Sequence, residues 1–243
     1  MSKPQKKVIL VVDDDQDLCE VIKFFFEMEN FEVLTAHGGR VALEIIKSRH
    51  VDIVLTDVRM PDGDGIELLH ETMLRNVNTP VVMLITGYMD LPVSDAYNLG
   101  ACAVFSKPFD FDDLLPRIRK ILEPPERRWG EPSGNSGLPL MKVSLENQSL
   151  GQAATSGSLK IGRGGMFAKT GPGEGYGVGK EIEIQIESDE KEPALAQGIV
   201  RWSRGESPRP GIGIEFTYFD PKLRNEIIEL IRDRRLVAFI PKT

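Results

Sequence analysis

Cysteine is scarce: two residues in 243, Cys19 and Cys102. Neither has the spacing of a metal-ligand pair, and two isolated thiols exclude a disulfide framework, so a reducing, cytoplasmic setting is expected. The three histidines, His37, His50 and His70, are scattered and suggest neither a metal cluster nor a catalytic base. Long apolar runs are absent. Val8–Val12 and Val81–Ile85 fall far short of the roughly 20 residues that cross a bilayer, so no membrane insertion is expected. No apolar signal-peptide segment follows the basic start Met-Ser-Lys-Pro-Gln-Lys-Lys. An excess of basic charge is also missing. Residues 1–122 hold 13 Lys and Arg against 20 Asp and Glu, and the remainder 17 against 17. With no phosphate-neutralising stripe and no helix-turn-helix pattern, nucleic acid is not an expected partner.

What is present divides the chain. The first half alternates short apolar runs with longer amphipathic ones. Strands are expected at Val8–Val12, Phe31–Ala36, Ile53–Thr56, Pro80–Ile85 and Ala103–Ser106. Helices are expected at Asp17–Glu29, Arg40–Ser48, Gly65–Asn76, Leu91–Leu99 and Phe111–Leu122. In the first helix Leu18, Val21, Ile22, Phe25 and Met28 fall on one face. Five β-α units whose strands are apolar throughout describe a parallel sheet covered on both sides. Residues 123–139 (EPPERRWGEPSGNSGLP) break this pattern and suggest a flexible linker. The domains are therefore expected at 1–122 and 140–243. In the second, EIEIQIE at 181–187 alternates strictly, Ala196–Ser203 and Gly211–Thr217 suggest further strands, and shorter ones are expected near 141–145, 159–161 and 166–168. Asp220–Asp233 suggests a helix with Asp220 as N-cap and an apolar stripe of Leu223, Ile227, Ile228 and Ile231. The picture is a small β-barrel with a C-terminal helix.

In an open parallel sheet, function gathers at the carboxyl ends of the strands. Here those ends carry Asp13 and Asp14, then Asp57, Thr86 and Lys107. Three carboxylates cannot share a pocket fully ionised without a counter-charge. Mg²⁺, a hard cation that takes oxygen ligands and keeps waters, is the expected one. Asp57 is then a carboxylate nucleophile able to form an acyl phosphate. Lys107 supplies positive charge and the Thr86 hydroxyl a hydrogen bond. Taken singly, each of these residues suits a cap, a turn or a solvated loop. Asp15 in particular suits a helix cap. Their convergence at successive strand ends argues for a site. Other motifs fail on spacing. Asp13-Asp14-Asp15 lacks the later Thr or Val of a haloacid-dehalogenase nucleophile loop. Asp62-Gly63-Asp64-Gly65 lacks the remaining calcium ligands, and Gly171–Gly179 lacks the P-loop pattern and suggests a mobile turn.

The stretches VILVVDDDQD, DIVLTDVRMPDGDGIELL, VVMLITG and AVFSKPF resemble the receiver domains of two-component systems over about residues 6–122. The resemblance implies a CheY-like (flavodoxin-like) fold, phosphorylated by a histidine kinase or a phosphotransfer protein. It makes Asp57 the phosphoacceptor. It assigns Mg²⁺ to Asp13, Asp14, Asp57 and the Arg59 main-chain carbonyl, and the phosphoryl group to Thr86 and Lys107. A cis Lys107–Pro108 bond is also implied. Receivers usually carry Tyr or Phe three residues before the lysine, a ring that turns inward on phosphorylation. Here that position is Val104, with Phe105 beside it, so the switch region is expected to be weakened or differently built. The face of the fourth helix, fifth strand and fifth helix implies a phosphorylation-dependent homodimer.

The order SLKIGRGGMFAKT, EIEIQIE, GIVRWSRG and PGIGIEFTYFD is similar to PilZ domains over about 140–235. Many of these small barrels bind cyclic di-GMP through an RxxxR pair and a (D/N)xSxxG turn. The turn aligns with Lys160, Gly162 and Gly165, so only its last glycine is kept. Arg127 and Arg128 are adjacent, and no arginine lies between Arg128 and Arg163. Cyclic di-GMP binding is therefore not expected, and Arg163 suits a surface turn. The expected protein is a phosphorylated signalling switch rather than an enzyme. It would act through a protein partner, with Met166, Phe167, Trp202 and Tyr218 as candidate contacts. The alternative is a cyclic di-GMP effector gated by receiver phosphorylation.

Overall fold

The computed structural model describes residues 6–73, 80–87, 93–134, 137–145, 148–170, 176–188, 191–204, 210–233, 236 and 239–241. The chain forms two compact units, Met1–Leu122 and Glu123–Thr243.

The first unit is a five-stranded parallel sheet of β1 (Val8–Val12), β2 (Glu32–Ala36), β3 (Ile53–Asp57), β4 (Val81–Thr86) and β5 (Ala103–Ser106), in the order β2-β1-β3-β4-β5. The helices between them are α1 (Gln16–Met28), α2 (Gly39–Ser48), α3 (Gly65–Met73), α4 (Val93–Leu99) and α5 (Phe111–Leu122). β1 and β3 are buried along their whole length. That burial on both faces is why their sequences are continuous Val, Ile and Leu rather than alternating. The expected ends of two helices, 74–76 and 91–92, lie outside the described residues, as do 171–175 of the expected mobile turn.

Asp15 caps α1, its side chain accepting from the Leu18 amide at 3.0 Å. The face of α1 differs from the expected one. Cys19, Ile22 and Phe26 are buried, whereas Val21 and Met28 are 55% and 72% exposed. Three consecutive phenylalanines, 24–26, make the helical period ambiguous. The sheet contact is decided by Phe26, which meets Phe31 edge-on at 5.7 Å. Both cysteines are buried and free. Burial, with Asp13 nearby, pushes the Cys19 thiol up to about 11, so it stays neutral.

The second unit contains α6 (Pro125–Arg128), β6 (Leu140–Ser144), α7 (Leu150–Ser156), β7 (Lys160–Ile161), β8 (Gly165–Lys169), β9 (Glu181–Ser188), β10 (Lys191–Arg204), β11 (Gly211–Phe219) and α8 (Pro221–Arg232). Its six strands, ordered β6-β9-β10-β11-β8-β7, form a curled half-barrel with the helix α8 after it. Ile182, Ile184 and Ile186 of β9 face the core, as the alternation required. Leu223, Ile227 and Ile228 of α8 are buried in it, and Ile231 packs partly buried against it. On β11, glycines alternate because rings lie across the strand. A Cβ at Gly211 would stand 2.4 Å from the Phe167 ring, and one at Gly213 would stand 2.0 Å from Trp202 Nε1.

Of residues 123–139, expected as a flexible linker, the described ones, 123–134 and 137–139, belong to the second unit. Trp129 is 2% exposed and meets Phe219 edge-on at 4.8 Å. The Gly130 amide donates to the Thr217 carbonyl at 3.1 Å, and the Ser133 amide to Gln197 Oε1 at 2.6 Å. The reason is the tryptophan: burying that much apolar surface outweighs the local Pro and Gly preference for open chain. α7 was also not expected, although its Ser149-x-x-Gln152 capping box is a readable start signal.

Candidate functional site

The carboxyl ends of β1, β3, β4 and β5 bring the predicted residues together. Asp13 follows β1, Asp57 closes β3, Thr86 closes β4 and Lys107 follows β5. The Lys107 ammonium lies 2.6 Å from Asp57 Oδ1 and 2.8 Å from Asp13 Oδ2. Asp13 and Asp57 are buried, at 2% and 5% exposure, and Asp14 is exposed beside them. The other Asp57 oxygen, Oδ2, accepts from the Arg59 amide at 2.9 Å. Thus Arg59 enters the site through its main chain. The Lys107–Pro108 peptide is cis.

Burial raises the Asp57 carboxyl above its ordinary value, and the nearby Asp13 charge adds to this. Hydrogen bonding to Lys107 offsets only part of it. Burial also opposes charge on Lys107, but the Asp13 and Asp57 carboxylates outweigh that and raise its pKa. One ammonium therefore serves two buried carboxylates, and negative charge is in excess.

The neighbouring turns fix this arrangement. Asp64 caps α3 by accepting from the Glu67 amide at 2.7 Å. A Cβ at Gly65 would stand 2.0 Å from the Asp57 carbonyl, so only glycine lets α3 start against the end of β3. The role of Gly65 was not anticipated, since the DGDG run was weighed only as a calcium loop. Thr86 Oγ1 donates to the Gly87 carbonyl at 2.9 Å. Val104, at the usual aromatic position, packs against the core cluster that contains Leu84. Phe105 is half-buried.

Among the described residues, no three acidic, His or Cys side chains close on one metal-sized point. Mg²⁺ needs fewer, since it is held by one or two carboxylates and keeps several waters. Asp13 and Asp57 supply two oxygens that converge, with Asp14 adjacent and uncompensated charge present. The donor set fits that ion.

In the second unit, the turn aligned with the cyclic di-GMP motif is tightly closed. The Gly162 amide donates to the Gly165 carbonyl at 2.7 Å, and Lys160 is exposed at its start. Arg163 is partly buried rather than a free surface residue. Its carbonyl accepts from the Arg128 guanidinium at 2.8 Å, and that guanidinium lies 5.7 Å from the Phe239 ring centre. Three expected partner contacts are also not surface residues. Met166, Phe167 and Trp202 are 1%, 5% and 1% exposed, with Phe167 stacked on Trp202 at 5.7 Å. Their size and apolarity serve packing, and Tyr218 is half-buried. No described helix is long and apolar enough to cross a membrane.

The first unit's fold and its acid–lysine site define a response regulator receiver domain, and residues 9–119 match the family model of that description. Residues 139–233 match the PilZ domain model. The chain thus carries a response regulator receiver domain at residues 9–119 followed by a PilZ domain at residues 139–233. It is 37% identical over 137 residues to the transcriptional regulatory protein CpxR of Escherichia coli (strain K12), covering 56% of this chain and 57% of CpxR. It is 36% identical over 116 residues to the regulatory protein AtoC of the same organism, covering 47% of this chain and 25% of AtoC. The chain thus spans about half or less of the length of these curated relatives. Among solved structures it is similar to the response regulator TrrA of Thermotoga maritima in complex with Mg²⁺-BeF, at 33% identity and TM-score 0.44, covering 48% of this chain and 99% of that one. It is also similar to a receiver domain protein of Clostridium thermocellum, at 32% identity and TM-score 0.45, covering 47% and 93%.

Proposed function

We propose that this protein is a phosphorylation switch in which Asp57 accepts a phosphoryl group from a histidine kinase or phosphotransfer protein and the PilZ domain passes the signal to a protein partner. The observation that carries it is the Lys107 ammonium held within 3 Å of both Asp57 and Asp13 at the sheet's carboxyl edge. An Asp57 oxygen attacks the phosphorus of a phosphohistidine. An O–P bond forms and the P–N bond breaks. Its electron pair returns to the imidazole, which takes up a proton, and an acyl phosphate remains. Lys107 pairs with a phosphoryl oxygen, and Thr86 turns its hydroxyl from the Gly87 carbonyl toward another. Asp13, Asp14, Asp57 and the Arg59 carbonyl would hold Mg²⁺, which neutralises charge on the transferring group. The protein acts as a switch and not as a turnover enzyme.

The receiver half is tested with beryllium fluoride and Mg²⁺, which mimic the acyl phosphate. Wild type is expected to gain thermal stability by mass action. Asp57→Asn is expected not to respond, and an undiminished response in that variant contradicts the assignment. Cyclic di-GMP is not the proposed ligand of the PilZ domain, because the acidic or amide and hydroxyl positions of its turn are Lys160 and Gly162. Calorimetry on the full chain is expected to show no binding, and micromolar affinity for cyclic di-GMP would contradict this.

A further inference from the structure

The half-barrel ends in two strands that do not meet. β6 is one edge and β7 the other, and among the described residues neither pairs on its outer side. β7 is two residues long, so Ala168 and Lys169 of β8 pair with β11 alone. Between the edges lies a cavity of about 530 Å³. Met141 and Val143 line it from β6 and Met166 from β8. Lys142, Lys160 and Lys169 stand around it. Lys142 pairs with Glu187 at 3.4 Å. Lys160 and Lys169 are exposed, with no acidic partner among the described residues.

The backbone of β6 also turns one residue, Lys142, to the gap. At the ends of the parallel β6–β9 pair, the Pro139 carbonyl accepts from the Glu183 amide and the Leu145 amide donates to the Glu187 carbonyl. Strand groups alternate sides, so the amide and carbonyl of Lys142 turn to the free edge. The Leu140 carbonyl, two residues earlier on that edge, accepts from the Tyr176 hydroxyl at 3.2 Å.

We infer that this gap receives an acidic, extended segment of a partner protein, added as a strand along β6. Alternate apolar side chains enter the cavity, and its carboxylates meet Lys160 and Lys169. Two features favour a strand over a small anion: the Lys142 amide and carbonyl turn to the gap from β6, and Met141, Val143 and Met166 set apolar surface among its lysines. The inference deepens the output half of the proposed function and rests on it. Phosphorylation of Asp57 is scored separately, so failure here leaves the receiver assignment standing.

The test uses the full chain and a fluorescein-labelled peptide of about eight residues, a strand's length, alternating Glu and Val. Fluorescence polarisation is expected to show saturable binding that weakens about tenfold when Lys160→Glu and Lys169→Glu are combined. Both side chains are exposed, and an unchanged circular dichroism spectrum checks the fold. The same peptide N-methylated at alternate residues is expected not to bind. Absence of saturable binding overturns the inference, as does unchanged affinity in the double variant. Undiminished binding of the N-methylated peptide overturns strand addition. Displacement of the peptide by inorganic pyrophosphate, with equal affinity for both ligands, would reassign the gap to small anions.

Discussion

Lys107 Nζ stands 2.6 Å from Asp57 Oδ1, and this contact joins the end of β5 to the end of β3. It is not enough to neutralise the site, because the same ammonium also serves Asp13. Asp57 is therefore a buried carboxylate whose charge is only partly compensated, held at a cost to the fold.

That cost has a measurable sign. Burial and Asp13 raise the Asp57 pKa above its ordinary 3.8. A carboxyl with a raised folded pKa favours folding below its unfolded pKa, and that contribution is lost as pH rises through the folded value. At neutral pH the ionised carboxylate is thus unfavourable. Asp57→Asn is expected to stabilise the metal-free receiver by about 1 kcal/mol at neutral pH, with the gain fading toward about pH 3. Urea denaturation in the presence of a chelator measures it. Destabilisation at neutral pH would contradict the electrostatic reading.

Asp52 has the opposite sign. Burial works against its charge, but the Lys7 ammonium at 2.7 Å and the Val8 amide at 2.8 Å prevail and lower its pKa below 3.8. Its contribution is present above the unfolded pKa and is lost as pH falls through the folded one. Asp52→Asn is expected to cost about 1 kcal/mol at neutral pH and to flatten the acid limb of stability below about pH 4. An acid limb as steep as in wild type would contradict this.

Trp129 ties residues 123–134 to the second unit. Trp129→Ala is expected to lower that unit's stability by about 3–5 kcal/mol, the range for removing a buried large aromatic. Fragments sharpen the point. A chain starting at residue 123 should unfold cooperatively in urea, whereas one starting at residue 139 should show a much lower midpoint. Equal midpoints would mean that the segment is a tether after all.

Gly213 faces Trp202, with 2.0 Å between an added Cβ and the indole nitrogen. Gly213→Ala is expected to destabilise the half-barrel by about 1–3 kcal/mol through overpacking. Thermal melting followed by Trp fluorescence reports it. Trp202→Phe in the same background should recover part of the loss if the indole is the obstacle.

The receiver was legible because its chemistry is local to strand ends. Runs such as VILVVDD and IVLTD announce both a buried strand and the carboxylate that ends it, and chain order then places Asp13, Asp57, Thr86 and Lys107 on one edge. Contacts set by tertiary packing were less legible. Phe26 rather than Phe25 is fully buried because the sheet selects one of three adjacent rings. Trp129 lies in a stretch whose Pro, Gly and Ser content resembles a tether, and its partner Phe219 is distant in sequence. Met166, Phe167 and Trp202 resemble a recognition surface in composition, but the glycines opposite the two rings, Gly211 and Gly213, make room for them in the fold.

Intact mass spectrometry after incubation with acetyl phosphate and Mg²⁺ tests the assignment of Asp57 most directly. Wild type is expected to gain one phosphoryl group, labile to hydroxylamine as an acyl phosphate is. The gain should be absent with chelator and absent in Asp57→Asn. A stable adduct of the same mass on the Asp57→Asn protein would contradict Asp57 as the phosphoryl acceptor.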